Sequence, residues 1–213
     1  MTDLQIRTAV ITGEHAFDVP AFTRLFRVLP NVNAYTQTLD DYVADAGKVR
    51  DWYDVLLFYN FHQATPDSDD KVHATLSRLG QTTQGIVVLH HALMAFRGWP
   101  FWSDLVGIEE RGLGYHHDQH IDLHIEDTQH PITRGLADWP MVDETYTINE
   151  PGPESHVLLT TDHPHSMHAL AWARAFGKAR VFCCALGHDA QAFDNANFRA
   201  LLSRGITWAA GRL

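Results

Sequence analysis

Two cysteines in 213 residues, Cys183 and Cys184, are too few and too close together to make a disulfide framework. Neighbours in an extended strand point to opposite faces, so the two thiols do not bridge each other. Long apolar runs are missing too. No stretch nears the ~18 residues that cross a bilayer, and the start, Met-Thr-Asp-Leu-Gln-Ile-Arg, lacks the basic and apolar parts of a secretion signal. A cytoplasmic location is expected. Basic residues are scarce: Lys and Arg number 16 against 26 for Asp and Glu, the formal charge is −10, and no segment gathers cations. Nucleic acid and membrane surfaces are therefore not expected as partners. No HExxH, CxxC or EF-hand spacing occurs, and no nucleotide cofactor is expected.

What the chain has is apolar substance and histidine. An apolar fraction of 45% can bury a sizeable core, and the length suits one domain spanning residues 1–213. The 15 histidines would carry the formal charge from −10 to +5 if all were protonated, which points to function near neutral pH. Domains of this kind commonly form symmetric dimers, so a homodimer belongs among the expectations.

The early part of the chain alternates strand and helix patterns. Residues 6–12 are apolar and β-branched and stop at Gly13, as a buried parallel strand does. Phe22, Leu25, Phe26 and Leu29 form one helical stripe after Pro20. Strands follow at 32–38, 54–61 and 86–89, with a helix starting near Ser68 and carrying Val72, Leu76 and Leu79 between the last two. Residues 98–114 are aromatic and glycine-rich and suggest a helix and loop over the sheet. Ile121, Leu123 and Ile125 alternate with polar residues as in a strand with one wet face. Further strands are expected at 156–161, 167–173 and 180–186, and a closing helix at 198–208. The pattern predicts an α/β fold: a mostly parallel sheet with right-handed crossovers and a mixed or antiparallel extension.

Ligands of open parallel sheets bind beyond the carboxyl ends of the strands. Four such ends here lead into histidine: Gly13-Glu14-His15, Asn60-Phe61-His62, His90-His91 and Gly187-His188-Asp189. Glycine permits a tight turn, and imidazole carries a proton near pH 7 or binds a divalent ion, zinc above all. A surface or merely hydrogen-bonded histidine is the alternative for each. Histidines 73, 156 and 168 fall inside predicted elements and keep that alternative. Glu144, in Asp-Glu-Thr-Tyr on an expected loop, is a candidate acid or base, against a solvated loop acid. Asp189 either orients His188 or caps the helix that follows.

Residues 177–189, Gly-Lys-Ala-Arg-Val-Phe-Cys-Cys-Ala-Leu-Gly-His-Asp, resemble the G-K-G-R-V-F-Y-x-x-L-G-H-D signature of trehalose-utilisation (ThuA-like) proteins. Val88-Leu89-His90-His91-Ala92, His130-Pro131-Ile132, Asp143-Glu144-Thr145-Tyr146 and the segment 198–211 are similar to further family landmarks in the same order. Ala179 stands where the signature has glycine, which is tolerable at negative φ. The resemblance implies a three-layer, doubly wound sheet like flavodoxin or the class I glutamine amidotransferases, and a role in disaccharide or keto-sugar metabolism. It leaves open which of His116, His117 and His120 is the family's pocket histidine. Those amidotransferases place a nucleophilic cysteine where this chain has His90-His91, so cysteine-dependent glutamine hydrolysis is not expected.

Together these readings predict a protein acting on a small-molecule sugar, with His90, His188 and Glu144 as catalytic groups. His15, His62, His117, Tyr146 and Asp189 would bind substrate. Any divalent metal would sit on His90, His188 and His117. Trp99, Trp102 and Tyr146 are the candidate faces for stacking a sugar ring. Hydrolase, lyase and isomerase chemistry all remain open, and a non-catalytic sugar-binding or regulatory module is the rival.

Overall fold

A computed structural model describes residues 5–112 and 114–213. The first four residues of the segment read for a secretion signal, and Leu113 in the aromatic and glycine-rich stretch, lie outside that description.

Among the described residues nine strands form one sheet: β1 (Ile6–Gly13), β2 (Val32–Thr38), β3 (Val55–Asn60), β4 (Gly85–Leu89), β5 (Tyr115–Ile125), β6 (Trp139–Tyr146), β7 (His156–Thr160), β8 (Ala169–Phe176) and β9 (Ala179–Cys184). Their order is β2-β1-β3-β4-β9-β8-β7-β5-β6. From β2 to β9 every neighbouring pair is parallel, and from β9 to β6 every pair is antiparallel. The α/β architecture with an antiparallel extension is thus as the sequence pattern predicts. β3 and β4 are buried along their whole length, which is why they read as continuous apolar runs.

The α-helices among the described residues are α1 (Val19–Val28), α2 (Leu39–Ala44), α3 (Lys71–Leu76), α4 (Pro100–Val106), α5 (Ala190–Phe193) and α6 (Ala196–Ala209). α1 begins where the Asp18 side chain accepts the Ala21 N–H at 2.9 Å and Pro20 occupies the first turn, and it buries Ala21, Phe22, Leu25 and Phe26. The short α2 has no stripe long enough to announce it.

Two differences from the sequence reading matter for the site. The histidine-rich stretch 115–120, which the alternating pattern at 121–125 does not reach, is the first half of β5, and Asp143-Glu144-Thr145-Tyr146 ends strand β6 rather than lying on a loop. Pro140 and the acidic pair hide β6, because these residues are poor strand formers. Proline is tolerated there because β6 is an edge strand. β5 meets β7 only through His124 and Ile125, whereas residues from Tyr115 to Leu123 pair with β6. The β5–β6 hairpin therefore extends as an arm beyond the rest of the sheet.

Ala179 is not among the residues with positive φ; Gly177, at φ 56°, makes the turn between β8 and β9 instead. The two cysteines are free and buried in β9.

Candidate functional site

β4 ends at Leu89, and the chain turns at once into a 3-10 segment, His90–Met94, with His90 at φ 56°. A β-carbon is crowded in this left-handed region, so the turn is sharp and strained. It directs the His90 side chain, fully buried, beneath the β5–β6 arm. Its Nδ1 lies 2.8 Å from the carbonyl oxygen of Ala185 at the end of β9. A carbonyl only accepts, so Nδ1 carries the hydrogen, and Nε2 faces the cluster with a lone pair when the ring is neutral.

Three groups converge on that Nε2: the Tyr146 hydroxyl at 2.7 Å, His188 Nδ1 at 3.2 Å and Glu144 Oε1 at 3.4 Å. His188 Nδ1 and Glu144 Oε1 are 3.7 Å apart. His188 arrives on the turn after β9, where Gly187 takes φ 111°, a conformation that strains a residue with a side chain. Glu144 and Tyr146 come from β6, two residues apart and so on the same side of the strand. The outer carboxylate oxygen of Glu144, Oε2, is 2.7 Å from His117 Nδ1. Of His116, His117 and His120, it is therefore His117 that reaches the cluster. A bulge between His116 and Gln119, with Asp118 at φ 53°, sets its direction. His116 instead packs against His165, with ring centroids 4.6 Å apart.

Burial opposes ionisation of Glu144, but His90, His188 and the Tyr146 hydroxyl outweigh it and bring its carboxyl down to about 2. It is an anion throughout the neutral range. His188 is lowered by burial and then by its neighbour His90. Asp143 is buried and raised to about 6 by desolvation, although three backbone N–H groups and His90 favour its charge.

His90, Glu144 and His188 offer three donor atoms within 4.8 Å of one another, a set that can hold a metal ion. Two imidazoles and a carboxylate suit zinc or a similar divalent ion and leave a fourth position open. His117 lies on the far oxygen of Glu144, outside this set. The Ala185 carbonyl supplies the partner that a ligating histidine needs on its second nitrogen.

The other sequence candidates divide. His15 is half-buried, stacks on His91 at 4.1 Å between centroids, and feels the charges of His90 and Glu144, so it borders the cluster. His62 sits to one side, with Nδ1 3.2 Å from Asn60 and its ring stacked on Phe96. Asp189 caps α5 through the Gln191 N–H at 2.8 Å. Trp99, Trp102 and Tyr146 are all buried in the core and offer no sugar-stacking face; Trp102 donates to the Ala92 carbonyl. Their apolar patterning is that of any core aromatic, which is why sequence alone does not separate the two roles. Phe17 and Phe61 are only partly buried: Phe61 lies edge-on to His15 and His91, and Phe17 edge-on to Tyr59.

Sequence reasoning misses Tyr59 and Asp143. The Tyr59 hydroxyl donates to the Gly187 carbonyl at 2.9 Å, and the Asp143 carboxylate accepts N–H groups from the same turn. Cys183 and Cys184 are buried and their thiols are pushed up by burial, Cys184 to about 12, so neither is a nucleophile. A cavity of about 510 Å³ elsewhere, lined by residues including Arg97, Asp104, Glu154 and Arg174, shares no residue with the cluster.

Comparison with known proteins bears on this site. A family model described as "ThuA: Trehalose utilisation" matches residues 12–209. The structure is similar to that of a ThuA-like protein from Parabacteroides merdae, with a TM-score of 0.76 at 20% identity over 97% of this chain and 90% of that one. A ThuA-like protein from Bacteroides uniformis gives 0.74 at 16% identity, covering 96% and 91%. A GMP synthase subunit from Thermoplasma acidophilum gives 0.57 at 12% identity, covering 97% and 96%. The last likeness is one of fold, and it agrees with an amidotransferase-like architecture. No curated protein matches the chain by sequence.

Proposed function

The chain belongs to the ThuA, trehalose-utilisation, family, and from that premise and the cluster's geometry we propose that it is an enzyme acting on a sugar or keto-sugar at a divalent-metal site formed by His90, Glu144 and His188. Membership carries a carbohydrate-related role at the level of the family. The observation that supports the metal is the spacing of the donors. Ligand atoms held 2.0–2.1 Å from a tetrahedral zinc ion lie about 3.4 Å apart. Here the three separations are 3.2, 3.4 and 3.7 Å.

A divalent ion bound there would polarise a sugar carbonyl or hydroxyl oxygen. The chain's own groups do the rest. Glu144 holds negative charge at the centre, and the Tyr146 hydroxyl, which also bonds Glu144, can leave the His90 lone pair to a cation. His117 keeps one nitrogen on Glu144 while its side chain is 55% exposed, so it can carry a proton between the cluster and water. His15 and Phe61 both pack against His91, the neighbour of His90 in sequence.

Elemental analysis of the purified protein, alongside turnover of trehalose, sucrose and their 3-keto forms, tests the proposal, with His90→Ala and His188→Ala as controls. Bound metal and turnover, both lost in the two variants, are expected. Sugar binding without turnover would instead favour a non-catalytic module, and absence of both metal and sugar binding would sink the reading.

A further inference from the structure

β6 and β9 are separated in the sheet by β8, β7 and β5. Four steps of about 4.8 Å would hold them some 19 Å apart in a flat sheet. Yet Glu144 on β6 and His188 just after β9 stand 3.7 Å apart, so the arm must fold back over the strand ends and be held there. Besides the Tyr146 hydroxyl on His90 and the Gln191 amide on Asp118, two of the bonds that fasten it come from one buried side chain. Asp143, 2% exposed, receives the Gly187 N–H on Oδ2 at 2.7 Å. On Oδ1 it receives the His188 N–H at 3.0 Å and the Glu144 N–H at 2.9 Å.

We infer that Asp143 is a positioning residue, a buried clasp that fixes Glu144 and His188 relative to each other by gripping the backbone of both. Its consequence for metal and sugar rests on the function proposed above, whereas the clasp itself stands on the hydrogen bonds. Burying a carboxylate without a cation is costly, and three N–H donors supply the compensation. No hydroxyl or amide does the same. Asparagine has Asp143's shape but a single acceptor oxygen, and whichever way its amide is turned, the NH₂ meets a backbone N–H head-on.

The test compares wild type and Asp143→Asn by Co²⁺ titration, read from the d–d absorption, and by the ring ¹⁵N signals of His90 and His188. The expected result is Co²⁺ affinity about 10- to 100-fold lower in the variant, as for the loss of outer-shell support, with both ring signals displaced. Unchanged ring signals would overturn the clasp. If wild type binds no Co²⁺, the metal reading fails, and the ring signals still decide the role of Asp143. If the variant does not fold, amide exchange in wild type decides. Protection of both the Gly187 and His188 amides supports the clasp, and exchange at unfolded-chain rates overturns it.

Discussion

His90 Nε2 and His188 Nδ1 approach to 3.2 Å although 98 residues separate them in the chain. Glu144 Oε1 caps the pair, whereas His117 bonds the opposite oxygen and meets His188 only ring to ring. That asymmetry separates ligands from bystanders. His90→Ala and His188→Ala each remove a donor and are expected to weaken Co²⁺ or Zn²⁺ binding by about 100-fold or more. His117→Ala removes no donor and only an outer hydrogen bond to Glu144, so its effect should be about tenfold, well below that of the ligand variants. Calorimetric titration of the three variants checks this, and an equal loss in all three would place His117 among the ligands.

Tyr146→Phe keeps a buried ring and deletes one hydroxyl. The hydrogen bond to His90, 2.7 Å long, is lost, so stability should fall by about 1 kcal/mol in urea unfolding. Because the same hydroxyl competes for the Nε2 lone pair, metal affinity should hold or rise. A large drop in affinity would show that Tyr146 supports the bound state directly.

What the sequence could carry follows from where information is local. β3 and β4 are legible because full burial writes an uninterrupted apolar run. His90 and His188 stand out because each follows such a run at the sheet's ligand-binding end. Glu144 is legible only through the Asp-Glu-x-Tyr resemblance, and its strand is not. β6 is an edge strand whose Pro140 and acidic residues break the strand pattern, and it folds onto the site through contacts with residues over 40 positions away. Asp143 stands in the same motif, but its role is hidden: its partners are backbone N–H groups, which leave no mark on composition.

Cys183 and Cys184 are buried in β9, with Cys183 Sγ directed at the Val106 carbonyl. Burial raises both thiols, so no thiolate is present near neutral pH. An aromatic disulfide reagent should label neither cysteine in the native protein and both in denaturant. Cys184→Ala should leave metal binding unchanged. Rapid native labelling would reopen thiol chemistry.

Acid should loosen the fold through histidines held neutral. His91 is lowered to about 2 by burial and then by the neighbouring His90 and His15. His15, His62 and His188 are lowered too, each chiefly by burial. In the unfolded chain these rings take a proton near 6.5. Between that pH and their folded values the unfolded state therefore binds more protons, and stability falls as pH falls. Each such ring contributes at most about 1.4 kcal/mol per pH unit. His91→Gln keeps an N–H donor for the Tyr59 carbonyl, which lies 3.1 Å from His91 Nε2, and removes one titrating group. Urea unfolding at pH 7.5, 6 and 5 should show a steep loss for wild type and a shallower one for the variant. Parallel loss in both would mean that His91 is protonated in the folded protein.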